Sequence, residues 1–177
     1  MDKIRNNITG IGNGERGAFT LVEILIVVVI LGIAMTMAVP MFSSAGSVQV
    51  DSAANIIASD LEYARSMAIT RQQSYAVLFN AGTESYEVLD HNGTVITHPV
   101  KGSGFDYAVN FPNERGLGQV VIASVNIDGG SKIAFDYIGA PFNEGGTEMG
   151  AGAIAISAGG ITRTISIEPV TGYIKIE

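Results

Sequence analysis

The chain of 177 residues contains no cysteine and no tryptophan, and only 10 of its residues are lysine or arginine. The lack of cysteine excludes a disulfide framework, a thiolate zinc site and a cysteine nucleophile. Because 17 residues are acidic, the formal net charge is −7. A chain of this charge lacks the broad basic surface that nucleic-acid binding normally needs, so we do not expect nucleic acid as a partner.

Hydrophobic residues are concentrated in one run near the amino terminus. Glu23 is the only charged residue from Phe19 to Val39. As a helix, this run would be roughly 31 Å long, close to the bilayer core of about 30 Å. Basic residues precede the run, and the positive-inside rule therefore places residues 1–18 in the cytoplasm. The sequence predicts one membrane-spanning helix and an extracytoplasmic body.

Two other kinds of amino-terminal segment fit this run less well. A conventional secretory signal has an apolar core of about 7–15 residues and a small-residue cleavage site after it. Here the run is longer, and Val39-Pro40-Met41-Phe42 follows it. A plain signal anchor leaves Glu23 unexplained, because a charged group in such a helix costs about 2.5–3.5 kcal/mol at the centre and less near an end.

The segment Gly17-Ala18-Phe19-Thr20-Leu21-Val22-Glu23-Ile24-Leu25 resembles the class III signal of type IV pilins and type II secretion pseudopilins. In that family a prepilin peptidase cuts before an aromatic residue, and the new amino group is N-methylated. The resemblance implies that the peptidase recognises Gly17, Ala18 and Phe19, and that Phe19 is methylated. It also implies assembly roles for Glu23, fifth in the mature chain, and for Pro40.

The cleavage position follows from the register of this motif. Family members usually carry glycine before the cut, whereas this chain has Ala18 there and Gly17 one step earlier. Cutting after Gly17 would make Glu23 the sixth mature residue. Cutting after Ala18 makes Glu23 the fifth and places Pro40 at the position where many members have a helix-kinking proline. We therefore favour cleavage between Ala18 and Phe19.

Two roles for Glu23 stay open at this point. Its carboxylate could pair with the cationic amino group released at Phe19, on its own helix or on a neighbouring one. Alternatively, the side chain reaches towards the lipid headgroups near the helix end. The family resemblance favours the pairing role in filament assembly.

A second periodic segment follows a weaker, flexible stretch at 41–49. Ile57, Leu61, Ala64 and Ala68 share one helix face, while Asp60, Glu62, Arg65 and Arg71 lie largely elsewhere. We predict one helix from Phe19 to about Thr70. The predicted regions are a cleaved leader (1–18), a transmembrane or filament-core half of the helix (19–40), its second half (41–73) and a β-rich body (74–177).

Alternating patterns and glycine-rich turns predict an antiparallel β-sheet body, and hence an α+β fold in which the long helix packs on the sheet. The turn at His91-Asn92-Gly93-Thr94 predicts a hairpin. The segment 139–150 is predicted to be a loop. The strands are predicted at Ser74–Asn80, Ser85–Asp90, Val95–His98, Gln119–Ile127, Lys132–Tyr137, Ala153–Ser157, Ile161–Ile167 and Tyr173–Ile176.

The body also resembles one subgroup, the GspH/FimT-type minor pseudopilins. The similar segments are 60–69, Ile133-Ala134-Phe135, Gly139-Ala140-Pro141 and Thr171-Gly172-Tyr173-Ile174-Lys175-Ile176. The resemblance implies a structural subunit of a type II secretion pseudopilus or a type IV pilus in the bacterial inner membrane. The implied partners are the membrane, other pilins or pseudopilins, the prepilin peptidase and an inner-membrane assembly platform.

No pattern points to catalysis. His91 and His98 are the only histidines, and without a third clustered ligand they make a poor metal site. We expect no enzyme activity, no cofactor and no metal. The alternative function is that of a minor pilin that captures DNA or a surface, using a basic patch in the carboxy-terminal part that would consist of Arg115, Lys132, Arg163 and Lys175.

The first testable prediction concerns processing. In a host that has a prepilin peptidase, the mature chain should begin at Phe19 and carry a methyl group on its amino nitrogen. Mass spectrometry of the amino-terminal peptide checks both points. A mature chain that starts at Met1 or at Ala18 would contradict the register on which the role of Glu23 depends.

Overall fold

The computed structural model describes residues 19–177, apart from the side chains of residues 36–45. An amino-terminal unit ends at Ala38, and a carboxy-terminal unit runs from Val39 to Glu177. The predicted α+β class is confirmed. In chain order the elements are α1 (Leu21–Arg71), β1 (Tyr75–Asn80), β2 (Ser85–Leu89), β3 (Ala108–Asn110), the short 3₁₀ helix η1 (Phe111–Asn113), β4 (Val121–Ile127), β5 (Lys132–Phe135), β6 (Pro141–Phe142), β7 (Gly152–Ala158), β8 (Ile161–Ile167) and β9 (Ile174–Ile176).

Helix α1 confirms the predicted helix within two residues at each end. Its backbone is helical through 41–49, where a weak start to the second half was expected. The helix stops because Gln72 adopts a left-handed conformation, with φ of 55°. The Gln73 N–H then donates to the Ala68 carbonyl at 3.2 Å, a bond typical of a helix terminus.

The strands form two antiparallel sheets. One has five strands in the order β3-β2-β1-β5-β6, and the other has four in the order β4-β7-β8-β9. Seven of these strands were predicted from the sequence, with ends within two residues of those observed. Strands β3 and β6 were not predicted, because three and two residues are too few to show an alternating pattern.

The predicted hairpin turn at 91–94 is present. Asp90 Oδ1 accepts the N–H groups of Asn92 and Thr94 at 2.9 Å each, and Gly93 has a positive φ of 77°. Hydrogen bonding of this kind by an aspartate side chain is common in turns.

The prediction of a strand at Val95–His98 is wrong. The segment makes only two isolated bridges, between Val95 and Leu89 and between Thr97 and Asp106. Two features end the pairing: Pro99 has no backbone N–H to donate, and the His98 side chain accepts two backbone N–H groups of the residues that follow.

One face of α1 packs into the core of the carboxy-terminal unit. The predicted stripe is confirmed, since all four of its members are fully buried. Apolar residues from both sheets pack against this face of the helix. The helix and the two sheets therefore share one hydrophobic cluster. The buried hydrophobic residues of the helix are Val50, Ala53, Ala54, Ile57, Leu61, Ala64 and Ala68.

Gly46 brings α1 into direct backbone contact with the turn between β7 and β8. A Cβ atom added at Gly46 would lie 2.7 Å from the Gly159 Cα and 3.0 Å from the Ala158 carbonyl oxygen. Both neighbours are backbone atoms, which cannot move aside as a flexible side chain would. Gly46 is therefore required for helix and hairpin to approach this closely.

This contact predicts that Gly46→Ala destabilises the carboxy-terminal unit by about 1–3 kcal/mol, the usual cost of overpacking. Thermal unfolding of the full chain in detergent, followed by tyrosine fluorescence, measures the change. Gly32→Ala is the matched control, because Gly32 lies on the same helix with nothing within 4 Å of the added Cβ. An equal effect of both substitutions would contradict the proposed backbone contact.

Candidate assembly site

The amino-terminal unit begins with a capped helix end. Thr20 precedes the first helical residue, and its Oγ1 accepts the Glu23 N–H at 3.2 Å. The Ile24 N–H donates to the Thr20 carbonyl at 3.2 Å. The sequence Thr20-Leu21-Val22-Glu23 therefore has the spacing of a capping box, with a threonine at the cap and a glutamate three residues later.

The side chains that follow the cap are uncovered. Every residue from 19 to 35 is exposed, and the large apolar ones are between 47% and 81% exposed. An apolar surface of this extent is typical of a segment that binds another protein or a membrane. Among the described residues, no helix meets the length and hydropathy that a membrane span requires. The predicted span at 19–40 stays a prediction.

Several predicted site residues cannot be located. Gly17 and Ala18, on the leader side of the predicted cleavage site, lie outside the described residues, as does the side chain of Pro40. Phe19 and Glu23 are described. Phe19 is 76% exposed and lies immediately before Thr20.

The four residues of the predicted basic patch lie on separate elements. Arg163 lies on the same face of β8 as the buried Ile165, but it is partly exposed, and its Nε donates to Asp51 Oδ1 of α1 at 2.7 Å. Lys175 pairs with Ser166 across β8 and β9, which places it on the opposite face of the same sheet. Lys132 lies on the five-stranded sheet, and Arg115 follows η1.

Arg65 connects three of the short segments on which the subgroup resemblance rests. Its Nε donates to the Gly139 carbonyl at 3.2 Å. A Cβ atom at Gly172 would lie 2.8 Å from the Gly139 carbonyl oxygen and 3.3 Å from Arg65 Nε. Gly139 and Gly172 both have positive φ, 85° and 63°. The helix motif and the two glycine motifs therefore form one contact, although the first two lie 74 residues apart.

Asp60 is the residue that the sequence placed wrongly. It was expected away from the apolar face, yet it is only 9% exposed. Its two carboxylate oxygens accept the hydroxyl groups of Tyr86 at 2.5 Å and Tyr107 at 2.7 Å. A buried charge is tolerated when it has such partners. No signal in the helix pattern shows this, because both donors lie on distant parts of the chain.

The two tyrosines are held in their neutral forms. Burial raises the pKa of Tyr86 well above its ordinary value, and the Asp60 carboxylate adds to the effect. Burial is also the main cause of the raised pKa of Tyr107, and the hydrogen bond to Asp60 is the second cause. Among the described residues, no three histidine, aspartate or glutamate side chains lie close enough together to hold a metal ion.

A capped, exposed apolar helix segment joined to an α+β body defines a pilin-like subunit. Comparisons with known proteins agree with this class. A sequence model of the prokaryotic N-terminal methylation motif matches residues 15–39, and one of the type II transport protein GspH matches residues 53–171. The chain therefore belongs to the GspH family and is a minor pilin or pseudopilin.

Solved structures of two such proteins are similar to this chain. The minor pilin FimU of Pseudomonas aeruginosa is 18% identical, with 72% of this chain and 91% of FimU covered and a TM-score of 0.47. The minor pseudopilin EpsH from the type 2 secretion system of Vibrio cholerae is 10% identical, with 73% and 96% covered and a TM-score of 0.49. No curated protein sequence matches the chain.

The buried carboxylate generates a stability prediction. Asp60→Asn replaces one carboxylate oxygen by an NH₂ group, which cannot accept a hydrogen bond from the second tyrosine hydroxyl. The substitution should lower the free energy of unfolding by about 1–3 kcal/mol. Urea unfolding of the full chain in detergent measures the loss. The control is Glu62→Gln on the same helix. Glu62 is half-exposed, and its Oε2 lies 3.6 Å from Arg65 Nη1. An exposed ion pair of this kind should contribute little to stability. Equal losses in both variants would contradict the role of Asp60.

The same site predicts an alkaline limit to stability. In the unfolded chain a tyrosine ionises near pH 10. Both tyrosines have raised pKa values in the folded protein. Their contribution to the free energy of unfolding is therefore complete below about pH 10 and is lost as the pH rises further. We expect the free energy of unfolding, measured by urea unfolding at several pH values between about pH 8 and pH 12, to fall more steeply with pH for the wild type than for Tyr107→Phe.

Proposed function

We propose that this chain is a non-enzymatic, membrane-anchored subunit of a type II secretion pseudopilus or a type IV pilus, released from its leader by a prepilin peptidase. The released subunit is N-methylated at Phe19. Before assembly it is anchored in the inner membrane, with its carboxy-terminal unit on the periplasmic side. An inner-membrane assembly platform then transfers it into the filament. There, the apolar helix segments of neighbouring subunits replace the lipid.

The observation that carries this proposal is the exposure of the helix segment. Its large apolar side chains are between 47% and 81% exposed over residues 19–35. Transferring apolar surface out of water contributes about 25 cal/mol for each Å². A membrane and a bundle of apolar helices from neighbouring subunits both provide such an environment, so a subunit can move from one to the other.

Glu23 supplies the specific interaction in that apolar environment. Cleavage before Phe19 creates a cationic amino group four residues away, the nearest cation that processing would generate. Pairing between the carboxylate of one helix and the amine of the next fixes their axial offset, whereas apolar contacts alone allow sliding. The Thr20 hydroxyl, which already accepts the Glu23 N–H at 3.2 Å, keeps the helix wound at this point.

The test of this mechanism is Glu23→Gln. Glutamine keeps the size of the side chain and suits the third position of a capping box, so only the charge is removed. The variant should be cleaved and inserted as well as the wild type, because a costly charge has gone from an apolar segment. Its incorporation into filaments should fall about tenfold or more, measured by immunoblotting of sheared filaments against the membrane fraction.

Two further variants separate charge from helix capping. Thr20→Ala removes the cap but keeps the charge, and should lower incorporation far less than Glu23→Gln does. Glu23→Leu should behave like Glu23→Gln. If Glu23→Gln is processed, inserted and incorporated like the wild type, charge pairing is not the mechanism.

A further inference from the structure

The hairpin turn that follows β2 contains a chemically reactive pair of residues. Asn92-Gly93 is the only asparagine–glycine pair in residues 19–177. Asparagine is a thermolabile residue, and glycine has no Cβ atom to hinder the approach of its backbone nitrogen to the preceding side chain. Both residues are exposed, so water reaches the pair.

The reaction open to such a pair is deamidation, in which water is the only co-reactant. The Gly93 backbone nitrogen loses its proton and attacks the carbonyl carbon of the Asn92 side chain. A new C–N bond forms, the bond to the side-chain nitrogen breaks, and ammonia leaves with that proton. Water then opens the five-membered succinimide ring at either of its two carbonyl carbons, which gives aspartate or isoaspartate.

Asp90 holds the backbone on both sides of the reacting nitrogen. Its Oδ1 accepts the N–H groups of Asn92 and Thr94, each at 2.9 Å. The Gly93 N–H, whose proton must be lost, donates to the Asp90 carbonyl oxygen at 3.0 Å. The turn is closed by the Asp90 N–H, which donates to the Thr94 carbonyl at 2.8 Å. The succinimide can form only after the Gly93 nitrogen leaves this arrangement.

The charge of Asp90 opposes the same step. The hydrogen bond from the Thr94 N–H is the main cause that lowers the pKa of Asp90, so its carboxylate is ionised at neutral pH. The attacking Gly93 nitrogen is anionic, and a neighbouring negative charge disfavours an anionic form. Hydrogen bonding and charge therefore act in the same direction.

We propose that Asn92 is a site of spontaneous deamidation, and that the turn built on Asp90 slows this reaction in the folded protein. The isoaspartate product adds one carbon to the main chain within the turn, which separates Asp90 from its partners at Thr94. Either product adds a negative charge two residues from Asp90. The turn thereby sets how long this exposed hairpin stays chemically intact. The inference does not depend on the proposed function.

The experiment follows the full-length chain at neutral pH, folded in detergent and unfolded in guanidinium chloride. Peptide mapping by mass spectrometry, with aspartyl and isoaspartyl peptides separated, gives the rate of conversion at Asn92. This rate should be at least about tenfold lower in the folded chain, the effect of one or two hydrogen bonds that must break first. Asn113 is the internal control and should stay intact, because it is also exposed but is followed by Glu114.

Two substitutions test the role of Asp90. Asp90→Ala removes both side-chain hydrogen bonds and should raise the rate at Asn92 in the folded chain about tenfold. Asp90→Asn keeps an acceptor oxygen and removes the charge, so its rate should lie between those of the wild type and Asp90→Ala. Neither substitution should change the rate in guanidinium chloride, where the turn is absent. An unchanged melting temperature shows that a faster reaction does not come from global unfolding.

Other outcomes would overturn the inference. Equal rates at Asn92 in the folded and unfolded wild type would do so without any variant, and so would a lack of conversion in guanidinium chloride. Conversion at Asn113 as fast as at Asn92 would contradict the special reactivity of the pair. A rate in the folded chain that Asp90→Ala leaves unchanged would contradict the protective role of Asp90.

Discussion

The packing of α1 against the apolar residues of both sheets is the contact on which the carboxy-terminal unit depends. Four of the seven buried hydrophobic residues of the helix are alanines, which take little space in the core, and the larger Ile57 and Leu61 are fully buried among them. Gly46 extends this contact to the turn at Gly159. Interiors packed to crystal-like density tolerate little change in side-chain volume, so the helix position is fixed along its whole buried length.

Polar contacts then determine which rotation and axial position α1 adopts on the sheets, among those that its apolar face allows. Asp51 pairs with Arg163 at one end of the buried helix face, Asp60 binds two tyrosine hydroxyls near its middle, and Arg65 binds the Gly139 carbonyl further along. Each contact joins the helix to a different part of the β structure. Asp60 is buried and needs its two tyrosine partners, so rotating or sliding the helix would leave a buried carboxylate without them and would also break the two partly exposed contacts.

The sequence predicted most of this fold, because helices and strands leave periodic patterns. The stripe at Ile57 and Leu61 repeats with the helical period, and most of the strands alternate clearly. The burial of Asp60 could not be predicted, since its donors Tyr86 and Tyr107 lie 26 and 47 residues away. The assembly motif around Glu23 was recognisable because it is contiguous.

The contact at Arg65 has a consequence for how the chain folds. The helix is made first, but its partners at Gly139 and Arg163 follow 74 residues after Arg65 and 112 residues after Asp51. Closing loops of this length costs chain entropy before any contact is gained, and folds built from such distant pairs form slowly. Until β8 emerges, the cover of the apolar face of α1 is incomplete, because the buried Ile165 and Ile167 belong to that strand. A chain shortened before β8 would leave part of that face exposed, and cellular quality control would treat it as an incompletely folded protein rather than as a smaller subunit.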